Sequence, residues 1–116
     1  MGDELDPAIH AQITELCEKG NEAQRAGRHE EARTLFKQAL DLLPPPYIRF
    51  EAATWILTAL GDVHFQMGSF EKAARIFASA EVCPGGDINP FVCLRLGQAL
   101  FERNEKERAK DPLLRA

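Results

Sequence analysis

Long apolar runs are missing from this chain of 116 residues, so nothing in it supplies the twenty or so apolar residues of a membrane-spanning helix. Positive charge is in deficit as well. Fourteen lysines and arginines against 18 acidic residues leave a net charge of -4, without the basic footprint of a nucleic-acid binder. The opening MGDELDP has neither the basic stretch nor the apolar core of a secretion signal. Cysteine is scarce: Cys17, Cys83 and Cys93 form no CxxC pair and leave an odd thiol, which points to a reducing, cytoplasmic setting. Although Cys83 and Cys93 flank one loop and can approach each other, an incidental role is favoured over redox chemistry. The three histidines (His10, His29, His64) are scattered, none with a second ligand at metal-binding spacing. There is no phosphate-cradling glycine loop and no nucleophile–base motif, and PGGD reads as a turn. No enzyme, metal or cofactor is expected.

What is present is helix. Asp6-Pro7 and Asn89-Pro90 are start signals, a capping side chain followed by the residue that suits a first helical turn. Ile9, Ile13, Leu16, Gly20 and Ala23 recur at the three-to-four spacing of one helix face, and Gly27 ends that helix. A second helix is predicted from about His29 to Leu42, with Ala32, Leu35, Phe36, Ala39 and Leu43 turned inward. The prolines of PPPYIRFEA reset the chain. A third helix from about Ile48 stops at Gly68, and Ser69 is a good cap for a fourth, reaching about Val82. A fifth reaches about Arg103, and a sixth takes most of the remainder. No stretch alternates with period two, so the fold class is all-α. Glu30-Glu31 with Arg33 and Lys37 reads as a solvated, salt-bridged face.

The chain also repeats itself. KGNEAQRAGRHEEARTLFKQA (19–39), LGDVHFQMGSFEKAARIFASA (60–80) and LGQALFERNEKERAKDPLLRA (96–116) align without gaps. Each copy places a glycine (Gly20, Gly61, Gly97) in a helix, where it costs roughly 1 kcal/mol relative to alanine. Ala32, Ala73 and Ala109 follow on the partner helix, then Phe36, Phe77 and Leu113, then Ala39, Ala80 and Ala116. Gly27, Gly68 and Asn104 stand at the turns. Close approach of two antiparallel helices explains small residues held at one phase.

This pattern resembles the tetratricopeptide repeat, a helix–turn–helix unit of about 34 residues. The resemblance covers residues 13–46, 54–87 and 90–116, with residues 1–12 as an N-terminal helical extension. It implies a right-handed superhelical stack of three repeats, about six helices, the last repeat incomplete and interrupted by Pro112. The seven residues between the first two repeats predict that the third helix starts early and projects beyond the stack. Leu113 and Leu114 are expected to be partly exposed, so self-association through the unsealed last repeat is one expected outcome. His64 stands where the family usually packs an aromatic, and is expected to be a packed, hydrogen-bonded histidine.

In such a stack the first helix of each pair lines a concave face. The residues expected on it are Asn21 and Arg25, then Trp55, Asp62, Phe65 and Gln66, then Phe91, Arg95, Gln98 and Phe101. Four aromatics with two arginines have the composition of interface hot spots, which points to a protein partner. The family's five-residue carboxylate clamp is matched only by Asn21 and Arg95. Cys17, Ala59 and Phe91 stand where it needs a lysine, an asparagine and a lysine, so a chaperone's acidic tail is not the expected ligand. More narrowly, CPGGDINPFVCLRLGQALFE resembles short bacterial tetratricopeptide proteins thought to be immunity proteins for polymorphic secreted toxins. That resemblance implies a cytosolic, non-catalytic protein that neutralises a cognate toxin. An adaptor or assembly chaperone gripping a peptide or helix, or a self-associating scaffold, are the alternatives.

Overall fold

The computed structural model describes residues 4–110, leaving aside the side chain of residue 109. Five helices follow one another: α1 (Pro7–Arg25), α2 (His29–Asp41), α3 (Glu51–Gln66), α4 (Phe70–Glu81) and α5 (Pro90–Lys110). Short 3-10 turns at Tyr47–Arg49 and Gly86–Ile88 lead into α3 and α5. There is no strand among the described residues. Each helix packs on the next, and α3 also touches α1 and α5, which makes an elongated helical repeat stack of 55 × 30 × 22 Å.

Local chemistry sets most boundaries. The Asp6 carboxylate accepts from the Ala8 N–H at 2.8 Å, and the Asn89 side chain accepts from Phe91 and Val92, satisfying donors that a helix start leaves unpaired. Ser69 occupies the cap position of α4 without a side-chain bond, so the turn before it does the positioning. Gly27 and Gly68 lie at φ of 80° and 79°, a left-handed conformation that reverses the chain and that larger residues resist.

Packing follows the small-residue phase. The rings of Phe36 and Phe77 lie over Gly20 and Gly61, with Ala32, Ala39, Ala73 and Ala80 fully buried around them. A Cβ at Gly61 would stand 2.7 Å from the Phe77 ring, whereas one at Gly97 would meet nothing within 4 Å among the described residues. Alanine at these two positions therefore has opposite expected effects. At Gly97 it stabilises by about 1 kcal/mol through helix propensity alone. At Gly61 overpacking against an immobile ring outweighs that gain, for a net loss of about 1 kcal/mol. Chemical denaturation of the two variants reads the difference in sign.

Two expectations are corrected. The start of α3 does not project. Phe50, Ala52, Ala53 and Thr54 are buried, and the Thr54 hydroxyl donates to Pro84 O at 2.8 Å, because this end of the helix packs into the core and against the α4–α5 loop. Nor does the third copy turn at Asn104, so there are five helices through Lys110 rather than a break near Arg103. Among the described residues none other than glycine has positive φ. The sequence after Asn104 is made of strong helix formers, with Glu105–Arg108 and Glu107–Lys110 pairs along it. The expectations for Pro112, Leu113, Leu114 and Ala116, and for the Ala109 side chain, lie outside the described residues.

His64 is 8% exposed and packed as expected, but its buried Nδ1 has no hydrogen-bond partner. Burial lowers its pKa below the ordinary 6.5, helped by Lys72 and Arg33 and opposed by Glu30. The unfolded chain then binds the proton more readily. Stability conferred by the neutral ring is complete above 6.5 and falls as pH drops through the depressed folded value. His64→Phe is expected to flatten this loss, measured as the difference between the denaturation midpoints of the two proteins at pH 5 and pH 8.

Candidate functional site

The first helices of the pairs, α1 and α3, and the start of α5 flank an open groove of about 620 Å³. Asn21, Gln24 and Arg25 line it from α1, then Trp55, Thr58, Ala59, Asp62 and Gln66 from α3, and Asn89 and Phe91 from the entry to α5. The structure thus brings together six of the ten residues expected on this face: Asn21, Arg25, Trp55, Asp62, Gln66 and Phe91. Phe65, Gln98 and Phe101 line a neighbouring groove instead.

Helical phase explains the grouping. Trp55, Asp62 and Gln66 are seven and four residues apart, and so share one stripe of α3, while Ala53, Leu57, Leu60 and His64 occupy the opposite, buried stripe. Trp55 is 59% exposed and Phe91 44% exposed, so both rings remain available to a partner. Trp55 also borders a narrower cleft of about 310 Å³ between α1 and α3, lined by apolar residues including Ile13, Phe36 and Ile56.

Beside the groove is a polar knot. Asp62 Oδ2 accepts from Gln24 Nε2 and Gln66 Nε2, each at 3.1 Å, while Oδ1 lies 3.0 Å from the Arg95 guanidinium. One carboxylate therefore ties α1, α3 and α5 together. Arg95 further donates to Gln98 Oε1 at 3.1 Å and lies over the rings of Phe65 and Phe91, 5.1 and 5.3 Å from their centroids. Its charge is engaged within the molecule. Phe65 in turn meets Phe70 edge to face at 5.2 Å, which anchors that side of the knot. Arg95 is consequently a brace of the groove, and Trp55 and Phe91 are its open contact surfaces.

Little in this setting favours covalent chemistry. The Cys83 thiol donates to Ser79 O at 3.3 Å, and Cys93 to Asp87 O at 3.7 Å, with all three cysteines free. Burial raises the pKa values of Cys17 and Cys83, which keeps both as thiols rather than nucleophilic thiolates. No three His, Cys, Asp or Glu residues gather in a metal-binding group among the described residues.

Residues 16–44 match the family profile of the tetratricopeptide repeat. The match falls on the first helix pair. The matched stretch contains Gly20, Ala32, Phe36 and Ala39, which pack where α1 meets α2, and Gly27, which turns the chain between them. No curated protein and no solved structure matches the chain. Tetratricopeptide repeats are protein-interaction units, and no described helix here is long and apolar enough to cross a membrane.

Sequence reasoning did not place Gln24, Thr58, Ala59 or Asn89 on this face. Gln24 lies three residues after Asn21 on the same helical face, so the phase already on the page pointed to it. Asn89 was legible only as a helix cap, and its second role depends on where α5 docks.

Proposed function

We propose that this protein is a non-catalytic binding module whose α1–α3–α5 groove grips a polypeptide partner. The observation that carries this reading is the pair of exposed rings, Trp55 and Phe91, on an open groove whose nearby Asp62 and Arg95 form an ion pair with each other. Such a surface offers aromatic contact area and amide groups, while the braced charges add no unpaired carboxylate to desolvate. Rigid helices hold it, so little ordering cost accompanies binding.

The resemblance of CPGGDINPFVCLRLGQALFE to bacterial immunity proteins supplies the partner class: a cognate toxin domain, met in the cytosol and covered at a surface it needs. Asn89 and Phe91, both within that phrase, line the groove. The test uses Trp55, the chain's one tryptophan. Titration with the purified product of the neighbouring gene should shift Trp55 emission to shorter wavelength as the ring leaves water. Trp55→Ala should weaken the complex by about 2 kcal/mol, some thirty-fold in Kd by calorimetry. An unchanged affinity removes the groove from the interface. An isolated locus with no toxin beside it favours a peptide adaptor instead.

A further inference from the structure

The cleft beside Trp55 has an apolar floor and a polar rim. It holds about 310 Å³ between α1 and α3, and shares Asn21, Trp55 and Ala59 with the larger groove. Ile13, Phe36, Ala52 and Ile56 form the floor, all of them buried. Thr14, Glu18 and Asn21, spaced at four and three along α1, stand exposed at the rim. Hydrocarbon suits the floor, whereas the rim suits a group that can replace water.

Charge decides which polar group fits. Glu18 is the one carboxylate lining the cleft, and no lysine or arginine lines it. Lys19, the nearest cation along α1, is tied to Glu15 at 3.1 Å. Glu18 thus has no ion-pair partner among the described residues. The Asn21 side chain, one turn further along α1, adds a carbonyl acceptor to the same rim. In the middle of the larger groove, Asp62 is paired with Arg95 at 3.0 Å. At its other end stands Arg25, seven residues and roughly 10 Å along α1 from Glu18. A positive group is therefore favoured at the cleft and opposed at the far end.

We infer, resting on the groove's proposed role, that the cleft receives a long basic side chain, an arginine, of the polypeptide held there. Arginine divides its character as the cleft does, with an apolar stem for the floor and a charged fork for the rim. The fork carries enough donors for Glu18 and Asn21 together. Trp55 adds an exposed ring at the same edge, and Arg95 already lies over Phe65 and Phe91 in that way nearby. A leucine or phenylalanine would fill the floor but lay hydrocarbon over an unpaired carboxylate, removing its water without replacement. An acidic side chain would meet Glu18 head on. Because the rim is exposed, the pair selects the sign of the partner's charge more than it adds affinity.

The probe is n-butylguanidine, an arginine side chain without its backbone, set against n-butylurea, which has nearly the same shape and no charge. Titrated into the isotope-labelled full chain at low salt, butylguanidine should bind with a Kd of about 20 mM or below. NMR shifts are expected at Ile13, Trp55 and Ile56 and none at Phe101. Butylurea should bind about threefold more weakly. Glu18→Gln, a change at an exposed position, should erase that preference without moving the melting temperature, and about 1 M sodium chloride should erase it too. The same variant should weaken the complex with the neighbouring gene's product about threefold at low salt. No saturable shift at Ile56 by about 100 mM butylguanidine, or a preference that survives Glu18→Gln, overturns the inference. So does an affinity for that product unchanged by Glu18→Gln, which leaves the cleft to free small cations. If butylguanidine fails while Trp55→Ala still weakens the complex, the cleft assignment falls and the groove stands. If Trp55→Ala has no effect on the complex, the groove falls and the arginine's source with it.

Discussion

Phe77→Ala is expected to lower the unfolding free energy by about 3–5 kcal/mol, the usual loss for emptying a fully buried aromatic site. The ring is completely buried, and its edge rests on Gly61. Alanine would leave a void bounded by the helix backbone itself at Gly61, and backbone packed on both sides relaxes poorly into a cavity. Much of the stability of a domain this size, about 5–15 kcal/mol, would be gone. Urea denaturation followed by circular dichroism measures the change. A loss below about 1 kcal/mol would mean that the glycine seat does not hold α3 and α4 together. Phe36→Ala should behave alike, since Phe36 meets Gly20 in the same way.

Gly86→Ala should be nearly as damaging, at about 3 kcal/mol, for the opposite reason. A Cβ there would stand 1.9 Å from the Ala80 carbonyl oxygen and 2.8 Å from its carbon. Both are backbone atoms at the end of α4, so no side-chain rotation relieves the clash. The Gly86 N–H also donates to Cys83 O at 2.9 Å, and the adjacent Pro84 carbonyl accepts from Thr54. Displacing the loop therefore disturbs the start of α3 and the launch of α5 together. Because α5 supplies Phe91 and Arg95, the variant should also lose partner binding at temperatures where it remains folded. Asp87→Ala, one residue on and exposed, serves as the control and should melt within a degree or two of the parent.

Much of the helical layout was legible because helices are local objects. Asp6-Pro7, Asn89-Pro90, Gly27 and Gly68 mark boundaries through bonds and dihedrals that span only a few residues. The apolar phase of α2 and α4 then identified their buried sides. The third copy misled for an equally physical reason. Asparagine tolerates a left-handed turn but does not require one, and the helix formers and ion pairs after Asn104 favour continuation. Sequence alignment alone treats Asn104 as equivalent to Gly68, whereas the backbone does not.

The groove was legible by face but not by partnership. Phase placed Trp55, Asp62 and Gln66 on one stripe, yet whether Arg95 would meet a ligand or Asp62 depends on how close α5 sits to α3. That spacing is set by non-local packing, including the burial of Val92 and Ala99 against the rest of the stack.

By itself the sequence determined an all-helical chain with small residues in step, since periodicity, caps and turns act over one or two helical turns. Only the tertiary structure decided that Phe36 and Phe77 rest on Gly20 and Gly61 while no described residue rests on Gly97, and that Arg95 is a brace rather than a free hand. Those outcomes depend on distances between helices far apart in the chain, which no local preference encodes.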